Sequence, residues 1–273
     1  MISDFGSSGF RIVAVRIVAA LVLTVSLQAC AARQTTLPPG SADADKFLFD
    51  RGTERFKEKK WMEAREYFRN LVDNYPQSPF RPDAKLALGD SYLGNGGTEN
   101  LLLAANEFRE FLTFYPTHAR ADYAQLQLAR SFVDQMLAPE RDQAATKDAI
   151  KEIEIFLQRF PNSKLMPEAR KMEREAKDRL SEANYRVGFY YFRVRWYPGA
   201  IDRFKDLLAQ DPNYTHRDAV YYHLAESLIR SNPDAAEKKA EALPYFERLI
   251  KEFEKSEYLL EAQKRVAELK PGS

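Results

Sequence analysis

The chain has 273 residues, of which 45% are hydrophobic and 30% are charged, with 41 Lys and Arg against 40 Asp and Glu. This length suits one large or two small folded units. The near balance of charge leaves no bulk basic field to hold nucleic acid and no acidic excess to mark a disordered tail, so no nucleic-acid partner is expected.

Residues 1–29 are typical of a bacterial signal peptide. Arg11 and Arg16 precede an apolar run over 17–27, which is too short to span a bilayer. The run ends in Leu27-Gln28-Ala29-Cys30, which resembles the lipobox of bacterial lipoproteins. An ordinary signal peptide that ends near a cysteine is the alternative, but the sequence favours lipidation at Cys30.

The predicted mature chain begins at Cys30, the only cysteine. Its charges cancel, so an acylated Cys30 rather than electrostatic attraction would hold it on a membrane. Ala31 follows, where an Asp would suggest retention in the inner membrane by analogy with well-studied lipoproteins. The expected location is therefore the periplasmic face of the outer membrane, with residues 30–44 as a flexible tether.

From Asp45 onward the apolar residues recur at intervals of three and four, which predicts an all-α fold. An Ala is followed after four residues by an apolar residue and after eight more by a turn position, in five copies. The copies are Ala64-Phe68-Pro76, Ala104-Phe108-Pro116, Ala149-Ile153-Pro161, Ala200-Phe204-Pro212 and Ala242-Phe246-Glu254. This spacing is that of tetratricopeptide repeats, and a generic helical bundle would not explain five copies of it.

A small residue precedes each Ala and marks where the two helices of a pair can approach closely: Gly52, Gly89, Ala129, Gly188 and Ala225. The prediction is a right-handed superhelix of five tetratricopeptide-like helix pairs, whose concave side is lined by the first helices. A final helix over 258–269, with Ala262 and Val266 facing inward, would cap it. Ser78, Ser163 and Ser256 are expected N-caps after the turns.

The array is expected to divide into two lobes. Repeats 1–3 form the first, over 45–164, and the second, over 165–273, contains repeats 4 and 5 and the cap. The charged stretch over 165–180 predicts a long helix that joins them.

No pattern of catalytic residues or metal ligands is present. His118, His216 and His223 are isolated, and no nucleophile elbow or phosphate loop occurs. The expectation is a protein without catalysis, cofactor or metal. The aromatic cluster is too dense for one helix face, so some of its members are expected to be exposed or to meet a partner. The long helix covering the cluster and a partner binding it are both open, and the two are compatible. The members are Phe189, Tyr190, Tyr191, Phe192, Trp196 and Tyr197.

Several stretches between Phe47 and about Leu228 resemble one family. They are Tyr115-Pro116-Thr117-His118, Arg141-Asp142-Gln143, the FPNSK of 160–164, and Lys177-Asp178-Arg179-Leu180 leading to Val187-Gly188-Phe189-Tyr190-Tyr191. With the lipobox and the repeats, they resemble the BamD family, the tetratricopeptide lipoproteins of the outer-membrane β-barrel assembly machinery.

The resemblance implies an anchored scaffold whose C-terminal lobe docks on the periplasmic domains of the barrel-forming core subunit, and whose N-terminal lobe receives unfolded outer-membrane proteins. Contacts with accessory lipoproteins stay open, because the loop between repeats 2 and 3 is shorter than in the family. Counting along the first helices gives the groove candidates Thr53, Phe56, Asp90, Leu93, Arg130 and Val133. Phe192, Arg193 and Arg195 are the candidates for the core-subunit contact.

Two other functions fit parts of the sequence. The stretch Tyr75-Pro76-Gln77-Ser78-Pro79 also resembles periplasmic coordinators of cell-wall synthesis and envelope constriction, but these usually carry an N-terminal coiled coil that is absent before Asp45. The helical part of a cell-wall lytic enzyme would need an attached catalytic domain, for which no residues are left.

Overall fold

The computed structural model describes residues 43–270, and in this range every regular element is an α-helix. The predicted signal peptide, Cys30 and most of the predicted tether lie outside the described residues. The helices are α1 (Ala44–Lys57), α2 (Trp61–Asn74), α3 (Arg81–Asn95), α4 (Thr98–Phe114), α5 (Ala121–Val133), α6 (Ala144–Arg159), α7 (Met166–Arg193), α8 (Tyr197–Gln210), α9 (Arg217–Ser231), α10 (Ala236–Glu252) and α11 (Leu259–Leu269). The all-α prediction is confirmed.

The helices follow the predicted order of five pairs and a final helix. From α2 to α11, each helix packs against the next one in sequence, and the first helices of successive pairs from α3 to α9 also touch. In α11, Ala262 is fully buried and Val266 packs against the core, as predicted for a capping helix. The superhelical winding and the division into two lobes stay predictions.

In the first, second and fourth pairs the small residue is a glycine that receives an aromatic ring of the second helix, as its position predicts. A Cβ added to Gly188 would lie 2.6 Å from Phe204 Cε1, and one added to Gly52 would lie 2.5 Å from Phe68 Cε1. Real Cβ atoms do not approach so closely, so these rings occupy the space of the missing side chain.

Three apolar cores follow one another along the described chain. The first, which contains Phe68 and Phe108, lies among α1 to α5. The second joins α5, α6 and α7 around Ile153 and Phe156. The third joins α7 to α11 around Phe204 and Phe246. Helix α5 contributes to the first two cores, because both of its apolar faces are covered.

The long helix is confirmed and is longer than predicted. α7 runs for 28 residues, from Met166 to Arg193, and therefore includes the first helix of the fourth pair. Its N-terminal half packs against α6, and its C-terminal half packs against α8. One continuous helix thus belongs to both the second and the third core.

The serines after the turns are not N-caps, so that prediction was wrong. The N-cap positions of α7 and α11 are Leu165 and Tyr258. Ser256 lies two residues earlier, where its hydroxyl accepts a hydrogen bond from Tyr258 N–H at 3.2 Å and donates one to Asp218 at 2.6 Å. Ser163 makes the same pair of bonds with Leu165 and with Asp122 of α5. These serines therefore hold consecutive pairs in register.

Candidate partner-binding surfaces

The aromatic cluster at the C-terminal end of α7 divides between the core and the surface. Phe189, Tyr191 and Phe192 are partly buried, whereas Tyr190 and Trp196 are 61% and 54% exposed. The alternative that the long helix covers the cluster fails, because residues 189–192 lie on that helix. Two large aromatic side chains are left in contact with solvent, which is typical of a protein-binding surface when such residues are contiguous.

The buried part of the cluster surrounds His223 of α9. The imidazole centre lies 4.9 Å from the Phe189 ring centre and 5.0 Å from that of Phe192. Its Nδ1 lies 2.7 Å from the carbonyl oxygen of Ala219. Burial lowers the pKa of His223, which favours the neutral ring. Phe192 is therefore part of a packed aromatic arrangement that supports the exposed end of α7.

The three predicted partner-binding residues lie in different environments. Phe192 is partly buried, and the guanidinium of Arg230 stands 5.1 Å from its ring centre. Arg193 and Arg195 are exposed, and neither forms an ion pair within residues 43–270. The two arginines, close in sequence to the exposed Tyr190 and Trp196, give this end of α7 an aromatic and cationic surface.

Arg195 has an unusual backbone conformation for a side chain of its size. Its φ is +63°, in the left-handed region, and Lys59 in the equivalent turn after α1 has a φ of +57°. In both turns the N–H of this residue donates a hydrogen bond to the carbonyl oxygen three residues earlier. The N–H of the next residue donates one to the carbonyl oxygen five residues before itself. This is the Schellman motif, which usually has Gly at that position.

The six groove candidates lie on α1, α3 and α5, and they are not joined into one cluster. Phe56 packs edge-on against Trp61, with ring centres 5.1 Å apart. Arg130 forms an ion pair with Glu168 of α7. Thr53 donates to the carbonyl oxygen of Phe49, Leu93 packs on the first core and Val133 packs on the second. Within residues 43–270, no hydrogen bond or ion pair connects two of the six.

Asp90 has the most perturbed environment of the six. Tyr123 of α5 donates its hydroxyl to Asp90 Oδ1 at 2.8 Å, and the guanidinium of Arg120 stands 4.6 Å from the Tyr123 ring centre. Burial raises the pKa of Asp90 to about 6, because desolvation outweighs the bond from Tyr123 and the charge of Arg120. Burial and the neighbouring carboxylate also raise the pKa of Tyr123, which therefore stays protonated as a donor.

We expect Asp90→Asn to change how stability depends on pH. The folded-state pKa of Asp90 is raised, so its stabilising contribution is complete only below the ordinary pKa of 3.8 and is lost as the pH rises from there through about 6. Urea unfolding of the wild type and of Asp90→Asn at pH 4 to 8 measures this. The stability of the wild type relative to the variant should fall as the pH rises; a constant difference would contradict the raised pKa.

The stretches that resemble the BamD family lie at contacts between repeats. Asp178 accepts hydrogen bonds from the backbone N–H and the hydroxyl of Thr215, at 2.9 and 2.6 Å. Arg179 donates to the carbonyl oxygen of Leu137 at 2.8 Å, in the loop before α6. Gln143 in turn donates to carbonyl oxygens of that loop. These residues have a structural role, because they fix the loops on both sides of α7.

An open cleft of about 670 Å³ lies along the C-terminal half of α7. Its floor includes Leu180, Ala183, Val187 and Tyr190, and its walls include residues of the loop before α6, the start of α6 and Gln210 at the end of α8. The cleft was not predicted from the sequence. The apolar residues of α7 keep their spacing of three and four beyond the stretch that α6 covers, and this spacing could have indicated an open apolar surface there.

Within residues 43–270, no group of three or more His, Cys, Asp or Glu residues has the arrangement of a metal site. No helix in this range is long and apolar enough to cross a membrane.

The paired helices, with an aromatic ring of the second helix packed on a glycine of the first in three of the five pairs, define a tetratricopeptide-like helical repeat protein. Residues 41–226 match the family model YfiO, described as an outer membrane lipoprotein, and the chain belongs to this family. The predicted resemblance is thereby confirmed.

Curated relatives are similar over most of the chain. Outer membrane protein assembly factor BamD of Caulobacter vibrioides is 27% identical over 215 residues, which cover 78% of this chain and 69% of the relative. BamD of Xylella fastidiosa strain 9a5c is 25% identical over 68% of each chain. Among solved structures, the TPR2AB domain of yeast Sti1 in its pHSP90 complex has a TM-score of 0.43 and 12% identity, over 84% of this chain and 99% of that one.

Proposed function

We propose that the chain is a lipid-anchored scaffold in the assembly of outer-membrane β-barrel proteins, on the periplasmic face of the outer membrane. Membership of the YfiO family and similarity to relatives named outer membrane protein assembly factor support this role. The lipobox supports anchoring through an acylated Cys30. In this proposal the chain performs no catalysis, and accessory lipoproteins are further candidate partners.

The observation that carries the proposal is the aromatic and cationic surface at the end of α7. Tyr190 and Trp196 are exposed there, and Arg193 and Arg195 lack carboxylate partners within the described residues. Aromatic residues and Arg are enriched at the centres of protein interfaces. The proposed occupant is a periplasmic domain of the barrel-forming core subunit, with Phe192 supporting the surface from below.

The backbone of Arg195 allows a test that separates binding from folding. A left-handed conformation costs a non-glycine residue about 1–2 kcal/mol, and the extra freedom of Gly in the unfolded chain offsets about 0.5–1 kcal/mol of the gain. We therefore expect Arg195→Gly to raise the free energy of unfolding by about 0.5–1 kcal/mol. We also expect less core subunit to copurify with tagged protein from cell envelopes.

Lys59→Gly is the matched control, because Lys59 has the same conformation in the first repeat. It should give the same gain in stability, measured by urea unfolding, with no change in copurification. Unchanged recovery of the core subunit with Arg195→Gly would contradict the proposed contact. Recovery of a division protein in place of the core subunit would point to the coordinator of envelope constriction instead.

The first helices of the first three pairs are the proposed site for unfolded outer-membrane proteins. Thr53, Asp90 and Arg130 would present a hydroxyl, a carboxylate and a guanidinium to an extended peptide, while Phe56, Leu93 and Val133 would contact its apolar side chains. A preformed groove lowers the ordering cost on the protein side, although the peptide still loses its freedom.

A further inference from the structure

The apolar stripe of α7 continues beyond the helix that covers it. Ala169, Met172 and Ala176 are buried in the second core, against α5 and α6. The same spacing of three and four leads on to Leu180, Ala183, Val187 and Tyr190, which line the open cleft. A stripe of this period is the pattern that one helix presents to another along a packed seam.

The second half of this stripe is open because α6 begins too late in the sequence to cover it. α6 is antiparallel to α7 and starts at Ala144, and its first turns reach only the middle of α7. Gln143 and Lys147 therefore form one end of the cleft. Val187 is 41% exposed and Tyr190 is 61% exposed beyond that point. No other helix among residues 43–270 fills the space.

The charges around the cleft favour an acidic occupant. Its charged lining residues are Arg141, Lys147, Arg186 and Glu140, three cations against one anion. Glu140 is already paired with Arg186, whereas Arg141 and Lys147 are exposed and have no ion pair within the described residues.

From the stripe and the charges together we propose that the cleft binds an amphipathic helix of a partner protein, with an apolar stripe toward α7 and acidic side chains toward Arg141 and Lys147. A helix in this position would extend the line of α6 along α7 and bury Val187 and Tyr190. The inference rests on the proposed scaffold role and names the chemistry of one partner segment. It does not require that this segment belong to the core subunit.

Binding of designed peptides to the purified full-length chain tests the proposal. Three fluorescently labelled peptides are compared, each held helical by a side-chain staple. The acidic peptide has Leu at i, i+3, i+7 and i+10 and Glu on the flanks, and the basic peptide has Lys in place of Glu. The third has the composition of the acidic peptide, but its Leu residues are distributed around the helix. Fluorescence anisotropy should show that the first binds at least tenfold more tightly than the other two.

Two variants locate the binding in the cleft. Val187→Glu should weaken binding of the acidic peptide at least tenfold, whereas Val194→Glu, at an exposed residue outside the cleft lining, should leave it unchanged. The double variant Arg141→Glu, Lys147→Glu should reverse the preference toward the basic peptide, which a loss of folding would not produce. Equal binding of all three peptides, or no effect of Val187→Glu, would overturn the proposal.

The outcomes of the peptide experiment and of the copurification experiment distinguish failure of the cleft proposal from failure of the proposed function. If the peptides bind as expected but Arg195→Gly leaves recovery of the core subunit unchanged, the cleft is a helix-binding site and the assigned contact at the end of α7 is wrong. If recovery falls but the peptides do not discriminate, the contact at the end of α7 holds and the cleft proposal fails.

Discussion

Replacing Phe204 with Ala should lower the free energy of unfolding by about 3–5 kcal/mol. The ring is fully buried in the third core and lies against Gly188 of the preceding helix. Gly188 has no side chain that could move into the cavity left by the ring. Urea unfolding followed by circular dichroism measures the loss. Phe114→Ala is the control, since Phe114 is 62% exposed and should change stability by less than about 0.5 kcal/mol.

A double-mutant cycle shows whether the Gly188 contact is the cause. Gly188→Ala places a Cβ 2.6 Å from Phe204 Cε1. This overpacking lowers the free energy of unfolding by about 1–3 kcal/mol, whereas the better helix propensity of Ala raises it by about 1 kcal/mol. In a Phe204→Leu background the added methyl group has room, so Gly188→Ala should be neutral or stabilising. Additive effects of the two substitutions would contradict the contact.

This contact also shows why much of the fold is predictable from the sequence. Gly188 and Phe204 are 16 residues apart, in neighbouring helices joined by a short turn, and the distance between Gly52 and Phe68 is the same. A contact of such short range appears in the sequence as a fixed offset, and repetition separates it from chance. The helix pairs, the long helix and the capping helix could be predicted for this reason.

The candidate sites depend on contacts that no fixed offset records. Nothing in the sequence distinguishes Phe192 from the aromatic residues around it. In the structure its ring packs on His223, which lies 31 positions later. Its partial burial depends on the angle at which α9 crosses α7. The apolar residues of α7 have the same spacing along the part that α6 covers and along the open part. The position of the cleft is therefore set by where α6 begins relative to α7, not by the sequence of α7. Side-chain environments therefore had to come from the structure.

The most buried charge in the described chain is predicted to hold the capping helix in place. Glu226 of α9 has no exposed surface. Arg265 of α11 donates to both of its carboxylate oxygens, at 2.7 and 3.2 Å, and Arg230 donates to Oε2 at 2.8 Å. A bidentate pair of this kind is among the stronger side-chain contacts, and it is the one ion pair between α9 and α11 in residues 43–270.

Glu226→Ala should lower the free energy of unfolding by about 3 kcal/mol, the lower end of the range for breaking a buried pair. The lower end applies because Arg265 and Arg230 keep partial access to water, with 29% and 45% of their side chains exposed. Urea unfolding measures the loss, and hydrogen exchange should show that amides of α11 lose protection before those of α9.

Lys264→Met is the matched control, because Lys264 lies beside Arg265 on α11 but has 65% of its side chain exposed. An exposed charge pair contributes little, so this variant should unfold within about 0.5 kcal/mol of the wild type. Arg265→Met should lie between the control and Glu226→Ala, since Arg230 still pairs with the carboxylate. If Glu226→Ala and Lys264→Met unfold at the same urea concentration, the buried pair does not hold α11, and apolar contacts such as those of Ala262 and Val266 attach it to the third core without it.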